Sequence, residues 1–557
     1  MPPCATGRDG RDTRCAFPVR IKFGVCMKYD TIIVGGGIAG LTAAAFLCKD
    51  NRRVLLCEKE EQVGGLVGSF TVDGFTFDTG LRAMENSGVL FPMLKSLDLN
   101  VEFLPNDVSI GIDKEIVRLQ SEDSLQLYRD MLLSCFPDDS KDIDALIAVV
   151  RQTMLYMDVL YGIDNPLFMN LKEDRKYLLK TLLPWLLRYV FTIGKIKKLN
   201  RPVEEYLEGI IRHPSLRDII AQHFFRATPA FFALSYFSLY LDYNYPQGGT
   251  GSLIRAMETY IVQHNGEIRV KTPVQSVDPS RRRVTAADGT AFDANTIIWA
   301  ADMKALYAAV DPLDSLPVAA QRAIRKQKES IAGLRGGDSV LTLYVRTDLE
   351  PAYFAGIHSP HFFYTPYKTG LSTVPLRDIQ TPDGGYITDR ARLVAWLREY
   401  LRLTTYEISV PVLRDESLAP PGHTGLIIST LLDFSLVRHI EAQGWYEEFK
   451  ALCQAVMLET LTCTVYPALE GRASDCMMAT PLTIERRTGN TEGAITGWSF
   501  ENPQIPAVSK MTRIAQSVQS PIPHVWQAGQ WTYSPSGFPI AILTGKMAAD
   551  AVSKSLR

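Results

Sequence analysis

Apolar positions along this chain follow two alternating rhythms. Tyr29 to Val34 is a short, almost continuous apolar run, broken off by Gly35-Gly36-Gly37. Ile38 to Leu47 then carries apolar residues without the strict alternation of a half-buried strand, and a second short run, Arg53 to Cys57, ends on Glu58. Short apolar runs bounded by turn residues predict buried strands, and the longer one between them a buried helix. The stretch therefore reads as strand, tight glycine turn, helix, strand.

The same reading carries along the chain. Asp73-Gly74 between alternating apolar residues predicts a hairpin, with Phe75–Asp78 as its return strand. Residues 86 to 100 read as a helix and 101 to 118 as short strands. From Asp138 to about Tyr243 the period turns helical, with Ile143, Leu146, Ile147 and Val150 on one face. Within it, Thr181 to Gly194 is apolar but carries Pro184 and Arg188 and falls short of the roughly twenty residues a span needs. With Lys195, Lys197 and Lys198 behind it, it reads as an interfacial helix on a membrane or as a buried helix with a solvated end. Pro229 to Leu241 is apolar nearly all round, which predicts core or the lining of a greasy tunnel. A helix opening after Gly251, strands at 266–270 and 296–301 and a hairpin between them restore an α/β pattern. Further strands are expected at 339–346 and 425–432, a helical face at Trp445, Phe449, Leu452 and Val456, and a last helix from Ile540 to about Ser553 with Pro539 in its first turn.

Composition narrows the classes. At 557 residues, two interleaved domains are the expectation. A net charge of −2 gives no basic field, so nucleic acid is not an expected partner. The nine cysteines are scattered without a CxxC pair, which argues against a disulfide framework and for a reducing, cytoplasmic compartment. His358 and His361 flank Pro360, so no regular helix presents them together, and no metal is expected. Residues 1–26 have no apolar core of signal-peptide length and read as an extension, disordered or not translated, with Met27 as the functional start.

The chemistry lies in the first stretch. Gly35 permits the turn, Gly37 lets the backbone approach a pyrophosphate, and Gly40 lets the helix pack closely on the strand. The phosphates would sit on the free N–H groups of the helix start at Ile38 and Ala39, and Glu58 would accept the ribose hydroxyls. A dinucleotide site is the reading; the bland alternative is a glycine turn in an α/β fold that binds nothing.

Three further segments carry a resemblance. Gly64-Gly65 follows Glu58 after five residues; Tyr245-Pro246-Gln247-Gly248-Gly249 is followed by Val274 and by Ile297-Ile298-Trp299-Ala300-Ala301-Asp302; and the tail holds Ala528-Gly529-Gln530, Ser536-Gly537-Phe538-Pro539 and Gly545. With Phe77-Asp78-Thr79-Gly80 and Thr480-Pro481, these segments resemble the phytoene desaturase, prolycopene isomerase and retinol saturase group of the amine oxidase superfamily. The resemblance implies a glutathione-reductase-type Rossmann domain that binds FAD, interleaved with an α+β substrate domain; the last cysteine, Cys476, lies far from the tail motif, so a non-covalent flavin is expected. Its FAD parts would be residues 27–105, 245–312 and 520–557, with a helical, membrane-facing substrate part at 106–244 and the substrate sheet and helices at 313–519. It implies cofactor contacts from Lys59, Gly64, Gly65, Leu66, Val274, at whose backbone the adenine would lie, Asp302, Gly529, Gln530, Gly537, Phe538 and Pro539, beside those of the glycine loop. The tail helix would point its N-terminus at the pyrimidine end of the flavin, where reduction places negative charge that a helix dipole stabilises by about 0.3–2 kcal/mol. Leu66, Trp531 and Tyr533 depart from the group's pattern.

The implied activity is desaturation, saturation or isomerisation at a carbon–carbon bond of a hydrophobic polyene or isoprenoid, with peripheral membrane contact. An amine oxidase on the same scaffold and a non-catalytic lipid- or prenyl-protein-binding protein are the alternatives. No acid or base is named: Arg82 and Glu85 stand either near the flavin or as a structural pair. Gly248-Gly249-Thr250-Gly251 and Gly333 to Gly337 lack the strand-before, helix-after order of a second dinucleotide turn. Electrons are therefore expected to pass to oxygen, a quinone or a separate redox protein.

Overall fold

In the first sheet, β1 (Tyr29–Val34) lies between β2 (Val54–Cys57) and β13 (Ala291–Trp299), parallel to both. Parallel strands β10 (Glu267–Arg269) and β19 (Val525–Gln527) extend it outward from β2 and β13. The antiparallel hairpin β11 (Val274–Asp278) and β12 (Arg283–Ala286) continues the sheet from the first residues of β13, on the side away from β1. Ile32, Ile33, Leu55, Leu56, Ile297 and Ile298 are wholly buried on the two faces, which is why these strands read as continuous apolar runs. The computed structural model describes residues 29–170 and 174–557, so the expectation for residues 1–26 lies outside them.

Helix α1 (Ile38–Lys49) covers one face of this sheet with α5 (Phe538–Ser555) packed on it. The approach is close enough that a Cβ on Gly545 would stand 2.3 Å from the Ala39 carbonyl oxygen. That contact brings the end of the chain against its beginning, as the tail motif requires.

The second sheet runs β18 (Ala473–Ala479), β14 (Ser339–Thr347), β17 (Thr424–Leu432), β16 (Tyr406–Ser409), β15 (His361–Thr365), β7 (Val108–Ile112), β8 (Glu115–Leu119). Strands β7 and β8 enter it from before the helical stretch, so the segment beginning at 106 contributes sheet as well as helices. Two small pieces bind the sheets together. The hairpin β3 (Ser69–Val72) and β4 (Phe75–Asp78) turns at Asp73-Gly74, both with positive φ, as the sequence predicts. The ribbon β5 (Met84–Glu85), β9 (Tyr243–Pro246), β6 (Phe103–Pro105) joins the ends of the helical insertion to the first segment.

The insertion includes α2 (Ser140–Tyr161) and α3 (Leu183–Ile196), and α4 (Gly251–Gln263) follows it. Ile143, Leu146, Ile147 and Val150 are buried on α2, as their spacing predicts. The expected helix over 86–100 is shorter, Leu90–Leu97, because Asp98 takes the left-handed conformation that ends it. Pro229 to Leu241 forms two short helices, Ala230–Leu234 and Tyr236–Tyr240. Among the described residues no helix is long and apolar enough to cross a membrane, and no cluster of His, Cys, Asp and Glu is placed to hold a metal.

Candidate functional site

At the C-terminal ends of the parallel strands a cavity of about 540 Å3 opens between the first sheet, α1, the Gly64-Gly65 turn and the tail. This is where an open α/β sheet binds ligands. Gly35 has φ +103°, a conformation that disfavours side chains, and a Cβ on Gly40 would lie 2.0 Å from the Gly35 carbonyl oxygen. Those two glycines close the turn against the helix. Gly37 differs: a Cβ there meets no protein atom within 4 Å, because the space above it is the cavity. The second glycine pair locks onto the first loop, with Gly64 N–H donating to the Gly36 carbonyl at 2.7 Å.

Glu58 lines the cavity at the end of β2. Its Oε2 accepts the Gly36 N–H at 2.7 Å and its Oε1 the Glu60 N–H at 2.9 Å. Each oxygen keeps a lone pair for a hydroxyl on the cavity side. Ile38 and Ala39 open α1 on this space, and their N–H groups have no intrahelical partner, so this helix end offers donors and positive potential. Helix α5 reaches the space only at Ala541, whose N–H already donates to the Gly537 carbonyl at 3.0 Å. Arg255 on α4 and Arg487, seven residues after Thr480, add two cations to the lining. An open approach over Gly37, free donors, a carboxylate with spare lone pairs and two guanidinium groups together fit a dinucleotide diphosphate.

The structure brings Gly35, Gly37, Ile38, Ala39, Glu58, Gly64, Gly65, Leu66, Gly529 and Gln530 to this one lining. It places the other expected residues beside it. Gly40 serves the packing just described. Lys59 donates to the Arg486 carbonyl at 2.6 Å. Val274 opens β11 opposite Ala286, and the residue of that region on the lining is Val270. Asp302 caps the helix Met303–Ala309 through the Ala305 N–H at 2.9 Å and accepts the Thr491 N–H at 2.8 Å, a structural task that leaves it off the lining. Gly537, Phe538 and Pro539 open α5, whose contact with the cavity is Ala541 one turn in.

Thr79 and Trp531 also line the cavity. Sequence reasoning quoted Thr79 and Trp531 without a cofactor role and passed over Arg255 and Arg487. Arginines on helix surfaces carry no local signature; position in the fold alone brings them here.

Beyond Thr79 the chain enters a buried polar cluster. The Arg82 guanidinium is 3.0 Å from Glu407 Oε2 and donates to Ser429 Oγ at 2.6 Å. Arg82 therefore pairs with Glu407 across the second sheet, and not with Glu85. His361 Nε2 is 3.2 Å from the other Glu407 oxygen. Burial alone would raise the Glu407 carboxyl, but Arg82, His361 and Arg414 override it and hold it at about 2. Glu407 keeps 35% of its side-chain surface although protein surrounds it, so that surface faces an internal space. Glu85, on β5, is pushed up to about 7 by burial, with Asp242 adding to the effect. Tyr161, Tyr236 and Tyr243 lie within its electrostatic range, and Tyr161 also couples to Tyr533 of the tail loop. Glu85 pairs across the ribbon with Tyr243, whose ring lies 5.6 Å from Tyr240 and 5.5 Å from His361, so acidic and tyrosine side chains border the chamber that Glu407 faces. His358 is no ligand either: Tyr466 Oη lies 2.6 Å from its Nε2.

Comparisons with known proteins agree with this geometry. The chain is 23% identical over 495 residues to prolycopene isomerase 1 of an Oncidium hybrid cultivar, covering 84% of this chain and 75% of the relative. It is 23% identical over 538 residues to the all-trans-retinol 13,14-reductase of Danio rerio, covering 90% and 82%. Among solved structures, a putrescine oxidase variant matches with TM-score 0.58 at 14% identity, over 95% of this chain and 99% of that one. A cyclohexylamine oxidase from Brevibacterium oxydans matches with TM-score 0.57 at 13% identity, over 95% and 100%. At such identities the two structures establish the shared fold. The model of the flavin-containing amine oxidoreductases matches residues 38–457, and with that span, this fold and this dinucleotide cavity, the chain belongs to the flavin-containing amine oxidoreductase family as an FAD-dependent oxidoreductase.

Proposed function

We propose that the protein acts on a carbon–carbon bond of a hydrophobic polyene or isoprenoid, by desaturation, saturation or isomerisation. The observation that carries this reading is the unbroken series of ring contacts Phe232–Tyr236–Tyr240–Tyr243–His361, an aromatic wall that ends beside Glu407 and the internal space it faces. Aromatic rings offer a long apolar substrate area and shape. The relatives named for prolycopene and all-trans-retinol, each covering most of this chain, support the same substrate class.

Bound FAD supplies two-electron chemistry. In this reading Gly35, Gly37, Ile38, Ala39 and Arg255 hold the diphosphate, Glu58 the ribose, and Gly65, Leu66, Gly529 and Gln530 the flavin end. The FAD unit is assembled from residues 29–105, 245–312 and 520–557, and the substrate unit from 106–244 and 313–519. Water exclusion falls to the chamber walls. The substrate class implies a peripheral membrane contact, and oxygen, a quinone or a redox protein is the acceptor class.

An amine oxidase is the second reading, favoured by one feature: an ionised Glu407 facing the chamber offers a partner for an ammonium. The Arg82 guanidinium already compensates that charge, which argues for the polyene. The test is incubation of the purified yellow protein with cis and all-trans carotenoids, with retinoids and with simple amines, followed by mass spectrometry and peroxide assay. A new or isomerised polyene supports the proposal; peroxide release with amines and no change in any polyene overturns it.

A further inference from the structure

Helix α3 has an unusual outer face. Leu179, in the turn just before it, and Leu183, Leu186, Leu187, Val190 and Phe191 share one helical stripe, and all are exposed. Leu183 is 53% exposed, Leu187 62%, Val190 61% and Phe191 78%. A soluble helix places such a stripe against its core. Here the core side is the opposite face: the Trp185 indole N–H donates to the Val159 carbonyl of α2, and Tyr189 is buried against Trp185 with ring centroids 5.1 Å apart. The exposed stripe is therefore surplus to the fold, and contiguous exposed apolar patches mark interaction sites.

Charge names the partner. Between residues 175 and 198 there are seven basic residues, Arg175, Lys176, Lys180, Arg188, Lys195, Lys197 and Lys198, and no acidic one, in a chain whose net charge is −2. All seven are exposed. An apolar stripe framed by cations fits the boundary between acyl chains and anionic headgroups, with the helix lying in the plane. We propose that α3 docks the protein on an anionic phospholipid bilayer through this stripe, and that its inner face forms the wall past which a lipid-dissolved substrate reaches the chamber. The second half rests on the polyene reading above. Its geometric basis is that Tyr189, on the inner face, stacks on Trp185, whose indole N–H holds the Val159 carbonyl two residues before Tyr161.

The test uses the full-length holoprotein in flotation with vesicles of phosphatidylcholine alone and of phosphatidylcholine with phosphatidylserine. Preferential binding to the anionic vesicles is expected, reduced about tenfold or more by the double variant Leu187→Glu/Phe191→Glu. Lys195→Glu/Lys197→Glu/Lys198→Glu should abolish the preference for anionic lipid. Both variants alter exposed positions, and unchanged flavin content shows that they fold. Absence of vesicle binding by the unaltered protein overturns the docking proposal, as does equal binding by the Leu187→Glu/Phe191→Glu variant. Light scattering that shows a dimer lost in that variant, without vesicle binding, reassigns the stripe to a second copy of the chain. Activity on polyene delivered in detergent micelles separates the two ideas: it should survive both variants, and its absence in the unaltered protein would defeat the polyene reading while leaving vesicle binding to stand or fall by itself.

Discussion

The Tyr245 hydroxyl donates to Asp78 Oδ2 at 2.7 Å, joining residues 167 positions apart. Asp78 also accepts the Thr250 N–H at 2.9 Å and the Ser69 hydroxyl at 2.9 Å, and that hydroxyl in turn accepts the Gly251 N–H at 2.9 Å. One wholly buried carboxylate thus fixes the hairpin β3–β4, the ribbon strand β9 and the start of α4. It explains why Phe77-Asp78-Thr79-Gly80 and Tyr245-Pro246 occur together: they are two halves of one joint beside the cavity.

Asp78→Ala should therefore act on stability before it acts on chemistry. Leaving three donors buried without an acceptor should cost about 3 kcal/mol or more. Chemical denaturation would show it, and a variant as stable as the parent would remove this joint from the account.

The two glycines of the first loop should respond oppositely to a methyl group. Gly37→Ala adds a Cβ into open cavity and should fold with little loss of stability but bind FAD at least tenfold more weakly. Gly40→Ala sets a Cβ 2.0 Å from the Gly35 carbonyl and should destabilise the fold by several kcal/mol. Flavin absorbance and thermal melting, read side by side, separate the two. Equal behaviour would mean that the cavity over Gly37 is not the phosphate site.

Glu58 has two tasks, holding the Gly36 and Glu60 N–H groups and facing the cavity. Glu58→Ala should lower FAD affinity about tenfold to a hundredfold, in line with the loss of one charge-assisted contact. Ultrafiltration after dilution would measure it; full flavin retention would place the ribose elsewhere.

Two carboxyls give the stability a predictable pH dependence. Glu85 rises from 4.5 to about 7 on folding, so it binds its proton more tightly in the native state, and its contribution is complete below about pH 4.5 and lost as pH rises through about 7. Glu407 falls from 4.5 to about 2, so its contribution is complete above about pH 4.5 and lost as pH falls toward 2. Glu85→Gln should flatten the decline between about pH 4.5 and 7 and leave the variant about 1–3 kcal/mol more stable than the parent at pH 8. Urea unfolding across pH is the measurement, and a variant less stable at pH 8 would contradict it.

The route of electrons is open to a kinetic check. Gly248 N–H donates to Asp415 at 2.8 Å, and Gly249 packs against Ser69 and Asp78, so that cluster belongs to the joint around Asp78. Gly336 forms a bridge to Trp498 ahead of β14. Neither is a second dinucleotide turn, and anaerobic mixing with NADH or NADPH should leave the flavin oxidised over seconds. Rapid, saturable bleaching would point to a nicotinamide-driven saturase.

Local physics determined much of this protein from sequence alone. Continuous apolar runs at Tyr29–Val34 and Val54–Cys57, positive-φ turns at Gly35 and at Asp73-Gly74, and a helix starting on the glycine loop are set by neighbours a few residues apart. A reader of the chain can therefore see them, together with the Glu58 carboxylate at the strand end. Tertiary structure decided what depends on distant partners. Arg82 could not be matched to Glu407 by spacing, since the pair forms only when the second sheet folds over the Thr79 loop. Asp302 carries the pattern of a cofactor residue, yet its oxygens face the Ala305 and Thr491 N–H groups and the side chain lies off the cavity lining. The apolar run around α3 has the composition of either a core or an interfacial helix, because periodicity gives the width of an apolar stripe and not what lies across from it. Packing on α2 takes the Trp185 and Tyr189 side and leaves Leu183, Leu187 and Phe191 facing outward.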